Sequence, residues 1–345
     1  MSGLTRRRTA VTLSILLGLL AATGLAALLL GAERVPFHRL VDLLIGPRRG
    51  DGPPDVSDTI ILQIRGPRIA LAGLVGAVLG LTGAVLQSLL RNPLAEPHLI
   101  GVSSGAALGV MIGGLWPMSG LIRGLTTTWV FAFAGGMVAL VMLYRLSTVN
   151  GRIRPETLVL AGVVLNGTLA AVIMFLTSYL DPGRVFGRVV WLMGNLGSAE
   201  SAVLWLTGPV LLAGMAWLCA QGQPLNLMTL GADTAQSLGL RPDRVIRASL
   251  VVSASMIGLV VSLSGMIGFV GILTPHILRR LIGTDYRLLL PASALGGAMF
   301  LIVADTAARV ALAPTELPVG VVTALCGGPF FLWLLARQRR AVMSR

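Results

Sequence analysis

Lysine is missing from this chain: all 27 of its basic residues are arginine. A Walker A phosphate loop uses a lysine to reach the nucleotide phosphates, so ATP hydrolysis by that route is excluded, as is any lysine Schiff base. Charge of either sign is scarce, at 12% of residues where a soluble domain carries about a quarter. The two cysteines, Cys219 and Cys326, both sit in apolar stretches and suggest neither a disulfide nor a metal site. The three histidines, His38, His98 and His276, are too scattered to hold a metal. Aromatic residues make up only 5%.

What fills the chain instead is apolar: 55% of residues, with a mean hydropathy of +0.85. Uncharged stretches of about 20 residues, each long enough to cross ~30 Å of hydrocarbon as a helix, recur along the whole length. The net charge of +13 in a soluble protein would suggest nucleic acid; here it is distributed as membrane topology requires, with arginine in the inward loops. The expectation is one all-α, polytopic membrane domain spanning 1–345.

Topology follows by parity. A first span over 10–30 is preceded by Arg6, Arg7 and Arg8, which sets the N-terminus in the cytoplasm; it exceeds the ~7–15 apolar residues of a signal peptide. Further spans read over 69–90, 99–118, 125–144, 158–180 and 201–220. Six crossings return the chain to the cytoplasm for a charged segment, 221–247, with Arg241, Arg244 and Arg247. The uncharged run 248–278 is too long for one upright helix and short for two. Arg279, Arg280 and Arg287 behind it require an even number of passes, so two short or broken helices are expected. Gly265, Gly268, Gly271 and Pro275 permit the break. Spans over 288–304 and 317–336 complete ten transmembrane helices, with N- and C-termini cytoplasmic.

Two external loops are expected, 31–66 and 181–200, the first with an amphipathic helix around 36–44. In the second, Asp181 reads as an N-cap, Gly194 as a helix stop, and Arg184 and Arg188 lie between them. Gly101, Gly105, Gly109 and Gly113, like Gly76 and Gly80, recur every four residues, the spacing that lets helix backbones touch. The run Gly101-Val-Ser-Ser-Gly105 matches the hydrolase elbow G-x-S-x-G, but that motif needs a strand before it and here it opens a membrane helix. An intramembrane hydrolase would also need a histidine at matching depth, and His98 and His276 read as lying at cytoplasmic edges. Asn166, in mid-span, is either interhelical glue or part of a pathway. A pore that takes its energy from a docked partner is the reading these residues suggest.

The run RGPRIALAGLVGAVLGLTGAVLQSLLRNPLAEPHLIGVSSGAALGV, 65–110, closely resembles the permease subunits of the iron-siderophore, haem and vitamin B12 importers. The likeness continues through LNLMTLGADTAQSLGL, 225–240, and from SGMIGFVGILTPHILRR at 264 to 335. These belong to the type II ATP-binding-cassette importers, with ten helices per permease subunit. The resemblance implies a non-catalytic pore in a bacterial inner membrane, working as a homodimer with two cytoplasmic ATPase subunits and a periplasmic or lipid-anchored substrate-binding protein. This chain itself would bind no cofactor; ATP and Mg would sit on the ATPases, and nucleic acid has no part.

Roles carry over where the motifs match. The coupling segment that fits a groove on the ATPase falls on Gly231, Ala235, Leu238, Gly239 and Leu240, with Gly239 ending a short helix. Arg65, Arg68 and Arg309 match the arginines that engage carboxylates of the binding protein, a task that suits bidentate guanidinium groups. Asn92, Leu94, Pro155 and Glu156 match the cytoplasmic gate. Asn166, Met174 and Ser178, spaced to share one side of the fifth span, are the pathway candidates. Two positions depart from the family: Gly66, where leucine is common, and His98, where glycine is. The implied activity is alternating-access import of a metal chelate, ferric siderophore first, then haem or cobalamin. A stand-alone secondary transporter is the alternative, with Asp305 the nearest intramembrane acid and at a span end.

Overall fold

Hydrocarbon offers a backbone no partner but itself, so a chain of this composition must fold as helices and confine its irregular stretches to places where protein or water can satisfy them. The computed structural model describes residues 5–31, 33, 35–45, 56–113, 127–149, 152–179, 182–197 and 201–343. In chain order the helices are α1 (Arg6–Leu29), α2 (Phe37–Ile45) and α3 (Val56–Thr59), the last running through a π-helical turn, Ile60–Arg65, into α4 (Gly66–Leu89). A 3-10 turn, Pro97–Ile100, precedes α5 (Val102–Gly113) and α6 (Thr127–Ser147). An antiparallel ribbon of β1 (Thr148–Val149) and β2 (Arg152–Ile153) leads to α7 (Pro155–Tyr179), α8 (Pro182–Leu192) and α9 (Ser201–Ala220). Then come α10 (Gly222–Thr229), α11 (Ala232–Ser237), α12 (Pro242–Ser264), α13 (Val270–Ile282), α14 (Tyr286–Val310) and α15 (Val319–Met343).

Among the described residues seven helices are long and apolar enough to cross a membrane: Arg6–Leu29, Val56–Leu89, Thr128–Ser147, Pro155–Tyr179, Val203–Ala220, Pro242–Ser264 and Tyr286–Val310. Val102–Gly113 and Val319–Trp333 are apolar but shorter. Of the third expected span, 99–118, the described residues hold the end of a 3-10 turn and a 12-residue helix, Val102–Gly113; 114–118 lie outside the described residues. The structure departs from the sequence reading elsewhere. The run 248–278 is broken as expected, between Ser264 and Val270, but its first helix is not short: α12 has 23 residues, because it starts at Pro242, in the first helical turn, with Arg244 and Arg247 inside it. Only α13 is short, at 13 residues. The segment 221–247 is largely helical, and the loop 31–66 ends in helix from Val56 onward. The amphipathic helix near 36–44 is present as α2. Asp181 lies outside the described residues, whereas Gly194, at φ +86°, ends α8 as expected.

Small residues set the packing. α4 is the buried centre, and its most extensive partner is α14. A Cβ on Gly76 would strike the carbonyl of Gly297, and one on Gly80 would strike that of Ser293. The α5–α6 pair is built the same way, with Gly105 against Gly135 and Gly109 against the Phe131 carbonyl. In lipid, where apolar contact alone gives no preference for protein over tails, this backbone proximity is what holds helices together.

Tertiary contacts sort the helix ends. Arg8 donates to the Ile282 carbonyl at 3.1 Å, and Asn226 Nδ2 donates to Asp285 Oδ1 at 2.7 Å. The start of α1, the end of α13, α10 and the start of α14 therefore share one end of the molecule, with Arg279, Arg280 and Arg287. The end of α1, the starts of α4 and α15, and the end of α14 meet at the opposite end. We expect Gly297→Ala to lower the thermal midpoint of the purified protein, since α4 cannot retreat, by about 1–3 kcal/mol of overpacking. Gly18→Ala, with nothing within 4 Å of the new methyl, should be neutral or stabilising by up to about 1 kcal/mol. Differential scanning in one detergent compares the two.

Candidate functional site

At the end away from the arginine-rich termini, one carboxylate organises three helices. Asp305 is 1% exposed. Arg68 Nε donates to its two oxygens at 3.0 and 3.1 Å, and Arg309 Nε is ion-paired with it at 3.2 Å, one helical turn along α14. Arg68 also reaches forward, NH1 to Glu316 Oε2 at 2.7 Å. Arg309 donates to the carbonyls of Ala27 and Leu30, and Arg65 to those of Leu28 and Glu33, which ties the end of α1 to both. The three arginines read from the sequence as docking residues thus come together, but with 5–7% exposure and their guanidinium groups engaged inward. Glu316, with a half-exposed side chain, is the outward-facing member. A small hollow of about 80 Å³ beside Arg68 and Glu316 is bounded by Gly194 and Asn195.

Below this cluster the interrupted helices converge. The linker between α12 and α13 is held on one side by Glu96, whose carboxylate accepts from Phe269 N, and by His98, whose Nε2 lies 2.7 Å from the Ile267 carbonyl. On the other side Asn195 N donates to the Ser264 carbonyl at 2.8 Å. Phe269 adopts φ +68° where the linker turns into α13. The end of α8 and the start of α15 are joined by two backbone bonds, Val319 N to Gly194 O at 3.2 Å and Gly320 N to Met193 O at 3.1 Å. Between these pieces lies a cavity of about 480 Å³. Its walls include Leu192, Met193, Met266 and Val321, with His98, Ser104 and Asn166 as the polar members. Irregular backbone at helix depth is tolerated where it lines such a space.

Of the pathway candidates, Asn166 lines this cavity. Its amide accepts from Ser104 Oγ at 2.7 Å and donates to the His98 carbonyl at 2.9 Å. Met174 and Ser178 lie farther along α7 on its exposed side, Met174 72% exposed, and are not among the cavity residues. His98 is not at a cytoplasmic edge: the turn Pro97–Ile100 folds back into the bundle, so its carbonyl meets the middle of α7. Ser103 Oγ is buried with no hydrogen-bond partner among the described residues, so the elbow-like motif lacks the base that a nucleophile needs.

At the other end, α11 closes as a Schellman turn. Gly239 sits at φ +86°, Leu240 N donates to Ala235 O at 3.0 Å and Gly239 N to Gln236 O at 2.9 Å, the pairing that terminates a helix on a left-handed glycine. Ala235 is buried; Leu238 is 59% exposed and Leu240 half-buried. Gly231, at φ +110°, separates α10 from α11. The segment is fastened to α14 by Asn226, which bonds both Asp285 and the Tyr286 amide. Asn92 Oδ1 accepts from Leu94 N at 2.9 Å in the turn after α4. Pro155 starts α7 beside Leu89, Leu90 and Leu158, and Glu156 is exposed in the first turn. Of the four residues expected at the gate, Pro155 lies beside the end of α4, and Asn92 and Leu94 are in the turn that follows it.

Two outcomes follow from these charges. Removing the carboxylate by Asp305→Asn leaves Arg309 without its buried counter-charge and Arg68 with Glu316 alone, and should cost about 3–5 kcal/mol; Glu316→Gln, half exposed, should cost about 1 kcal/mol or less. Denaturant unfolding of the two variants measures this. The Arg287 side chain, which hydrogen-bonds the Asp285 carboxylate, holds its pKa down to about 2. A depressed carboxylate stabilises the fold above its ordinary pKa near 4, and that contribution is lost as pH falls toward 2. The thermal-midpoint gap between wild type and Asp285→Asn should therefore be full at pH 6 and shrink steadily below pH 4.

The chain is similar to proteins of one kind. The FecCD transport family model matches residues 19–337. The cobalamin import system permease of Halobacterium salinarum is 42% identical over 293 residues, covering 84% of this chain and 77% of that protein. The hemin transport system permease of Yersinia pestis is 41% identical over 281 residues, covering 81% and 84%. A solved structure described as an inward-facing metal-chelate type ABC transporter superposes with a TM-score of 0.81 at 30% identity, covering 94% of this chain and 99% of that one. Over most of its length in sequence, and in overall shape, the chain thus matches membrane permeases: the chain belongs to the FecCD transport family.

Proposed function

We propose that this chain is the pore-forming subunit of an ATP-binding-cassette importer that carries a metal chelate inward across a bacterial inner membrane. The observation that carries the reading is the cavity itself, where α5, α8, α13 and α15 all begin or end and no nucleophile–base pair stands among the described residues. A recess where interrupted helices meet suits the passage of a ligand. α7 supports a homodimer: only Leu158, Gly162 and Leu165 are buried along it, so one broad apolar face remains to meet a second copy.

Topologically, α5, α13 and α15 add three short crossings to the seven long helices, and the arginines gathered at the end that holds α10 and α11 make that end cytoplasmic with both termini. A cytoplasmic ATPase would receive α11, with Leu238 as its apolar contact and the Asn226–Asp285 bond transmitting its movement to α14. At the external face, docking through Arg65, Arg68 and Arg309 proceeds by exchange: an acidic residue of a binding protein replaces Glu316 on Arg68. Asn92, Leu94, Pro155 and Glu156 close the inner end of the pathway. The cycle is alternating access, in which ATPase closure favours one of two arrangements of the same helices.

The sequence resemblance put a ferric siderophore first among cargoes. The names of the relatives, a hemin and a cobalamin permease, favour a macrocyclic chelate for this chain as well. A secondary transporter is disfavoured because Asp305, its one candidate for ion coupling, is locked between two arginines.

ATPase activity of the chain reconstituted with its cognate nucleotide-binding subunit tests the proposal. Leu238→Asp should abolish both complex formation and transport-coupled hydrolysis while leaving the permease folded, since Leu238 is exposed. An unaffected complex would refute the docking role of α11, and failure of any ATPase to bind would refute the importer.

A further inference from the structure

The structure places His98 on the cavity wall. Its carbonyl is held by Asn166 at 2.9 Å, so the turn cannot swing the side chain away without losing that bond. Ring Nε2 lies 2.7 Å from the Ile267 carbonyl. A carbonyl only accepts, so Nε2 carries the proton, and in the neutral imidazole the lone pair is then on Nδ1. Nδ1 has no hydrogen-bond partner among the described residues, and it is not one of the sealed unpaired atoms. The imidazole is oriented, its tautomer is set, and its one unused nitrogen belongs to a half-buried side chain at the cavity. A carboxylate or carbonyl behind the other ring nitrogen is the usual arrangement around a metal-ligating histidine.

The other polar wall groups are already spoken for. Ser104 donates to Asn166, and the Asn166 amide is bonded to Ser104 and to the His98 carbonyl. The remaining wall residues Leu192, Met193, Met266 and Val321 offer apolar and polarisable surface, which suits the face of a conjugated ring. A chelate whose metal is already saturated by its own oxygens gains nothing from an imidazole. One with an exchangeable axial position gains a bond.

We propose that His98 is a cargo-selecting residue, whose Nδ1 takes the axial position of a metal macrocycle, a haem or a corrinoid, as it passes through the cavity. The step is a ligand exchange: the Nδ1 lone pair forms the new bond, a weakly held axial water or chloride leaves, and the proton stays on Nε2, hydrogen-bonded to the Ile267 carbonyl. No electron is transferred. The inference rests on the importer reading and narrows its substrate class.

The test uses the full-length chain in detergent, titrated with hemin and followed by absorption and electron paramagnetic resonance. Wild type should convert hemin to a histidine-ligated species, seen as a shifted Soret band with the high-spin signal of a single axial imidazole. His98→Asn, which keeps an N–H for the Ile267 carbonyl but has no basic nitrogen to ligate iron, should lose that species and bind hemin at least tenfold more weakly. His98→Gly should behave the same way, and His276→Ala should match wild type. A ferric trihydroxamate, with its coordination sphere filled, should bind wild type and His98→Asn equally. An unchanged hemin spectrum in both His98 variants overturns the proposal, as does an equal loss of trihydroxamate binding, which would make His98 a packing residue. Absence of any hemin ligation in wild type also overturns it, while the ATPase-coupling experiment still decides the importer reading by itself.

Discussion

The buried carboxylate of Asp305 is the group on which the half of the molecule away from Arg279 and Arg280 depends. It is 1% exposed and meets two guanidinium groups; through Arg68 it fixes the start of α4 and the Glu316 segment, and through Arg309 it reaches the end of α1. Ion pairs at such depth gain little net stability over an apolar replacement. What they provide is register: α1, α4 and α14 cannot slide along one another without separating charge in a medium that punishes it. The glycine contacts between α4 and α14 then operate at a fixed offset, Gly76 always facing Gly297. Below that anchored layer the chain can accommodate interrupted helices, because the long ones are already aligned.

Interruption is a cost that hydrocarbon makes explicit. Each helix that stops inside the bundle exposes carbonyls or amides that must find partners. Here they find one another and a few side chains: Glu96 at the Phe269 amide, His98 at the Ile267 carbonyl, and the Gly194 and Met193 carbonyls at the start of α15. The cavity is the space left where four such ends meet. The architecture that makes a path is therefore the same one that satisfies the backbone.

Much of this was legible in the sequence, for reasons that can be assigned. Long uncharged runs reported α1, α4, α7, α9 and α14, because hydrophobic length is a one-dimensional property. The four-residue glycine spacing reported which faces approach closely, and Gly239 and Gly194 reported two helix stops, because only glycine adopts their φ cheaply. The start of α12 was missed because Arg244 and Arg247 look like loop residues to a hydropathy reading, although Pro242 marks a helix start. His98 was misplaced because a turn that re-enters the bundle has the same composition as one that stays on the surface. The inward aim of Arg65, Arg68 and Arg309 is a tertiary fact. One clue to it was present: Asp305 and Arg309, four apart on one helix, are spaced to pair. Family likeness favoured their outward role, and nothing in the motif names Asp305 or Glu316 as their partners.

The two backbone hydrogen bonds between Gly194–Met193 and Val319–Gly320 carry a kinematic consequence. They make the end of α8 and the start of α15 a single hinged plate rather than two walls. A plate has one coordinate of motion: any displacement that widens the cavity at Val321 must carry Leu192 and Met193 with it, and the Glu316 segment, only a few residues upstream, is its lever arm. While those two bonds hold, the wall at Val321 and the wall at Met193 can be displaced only together.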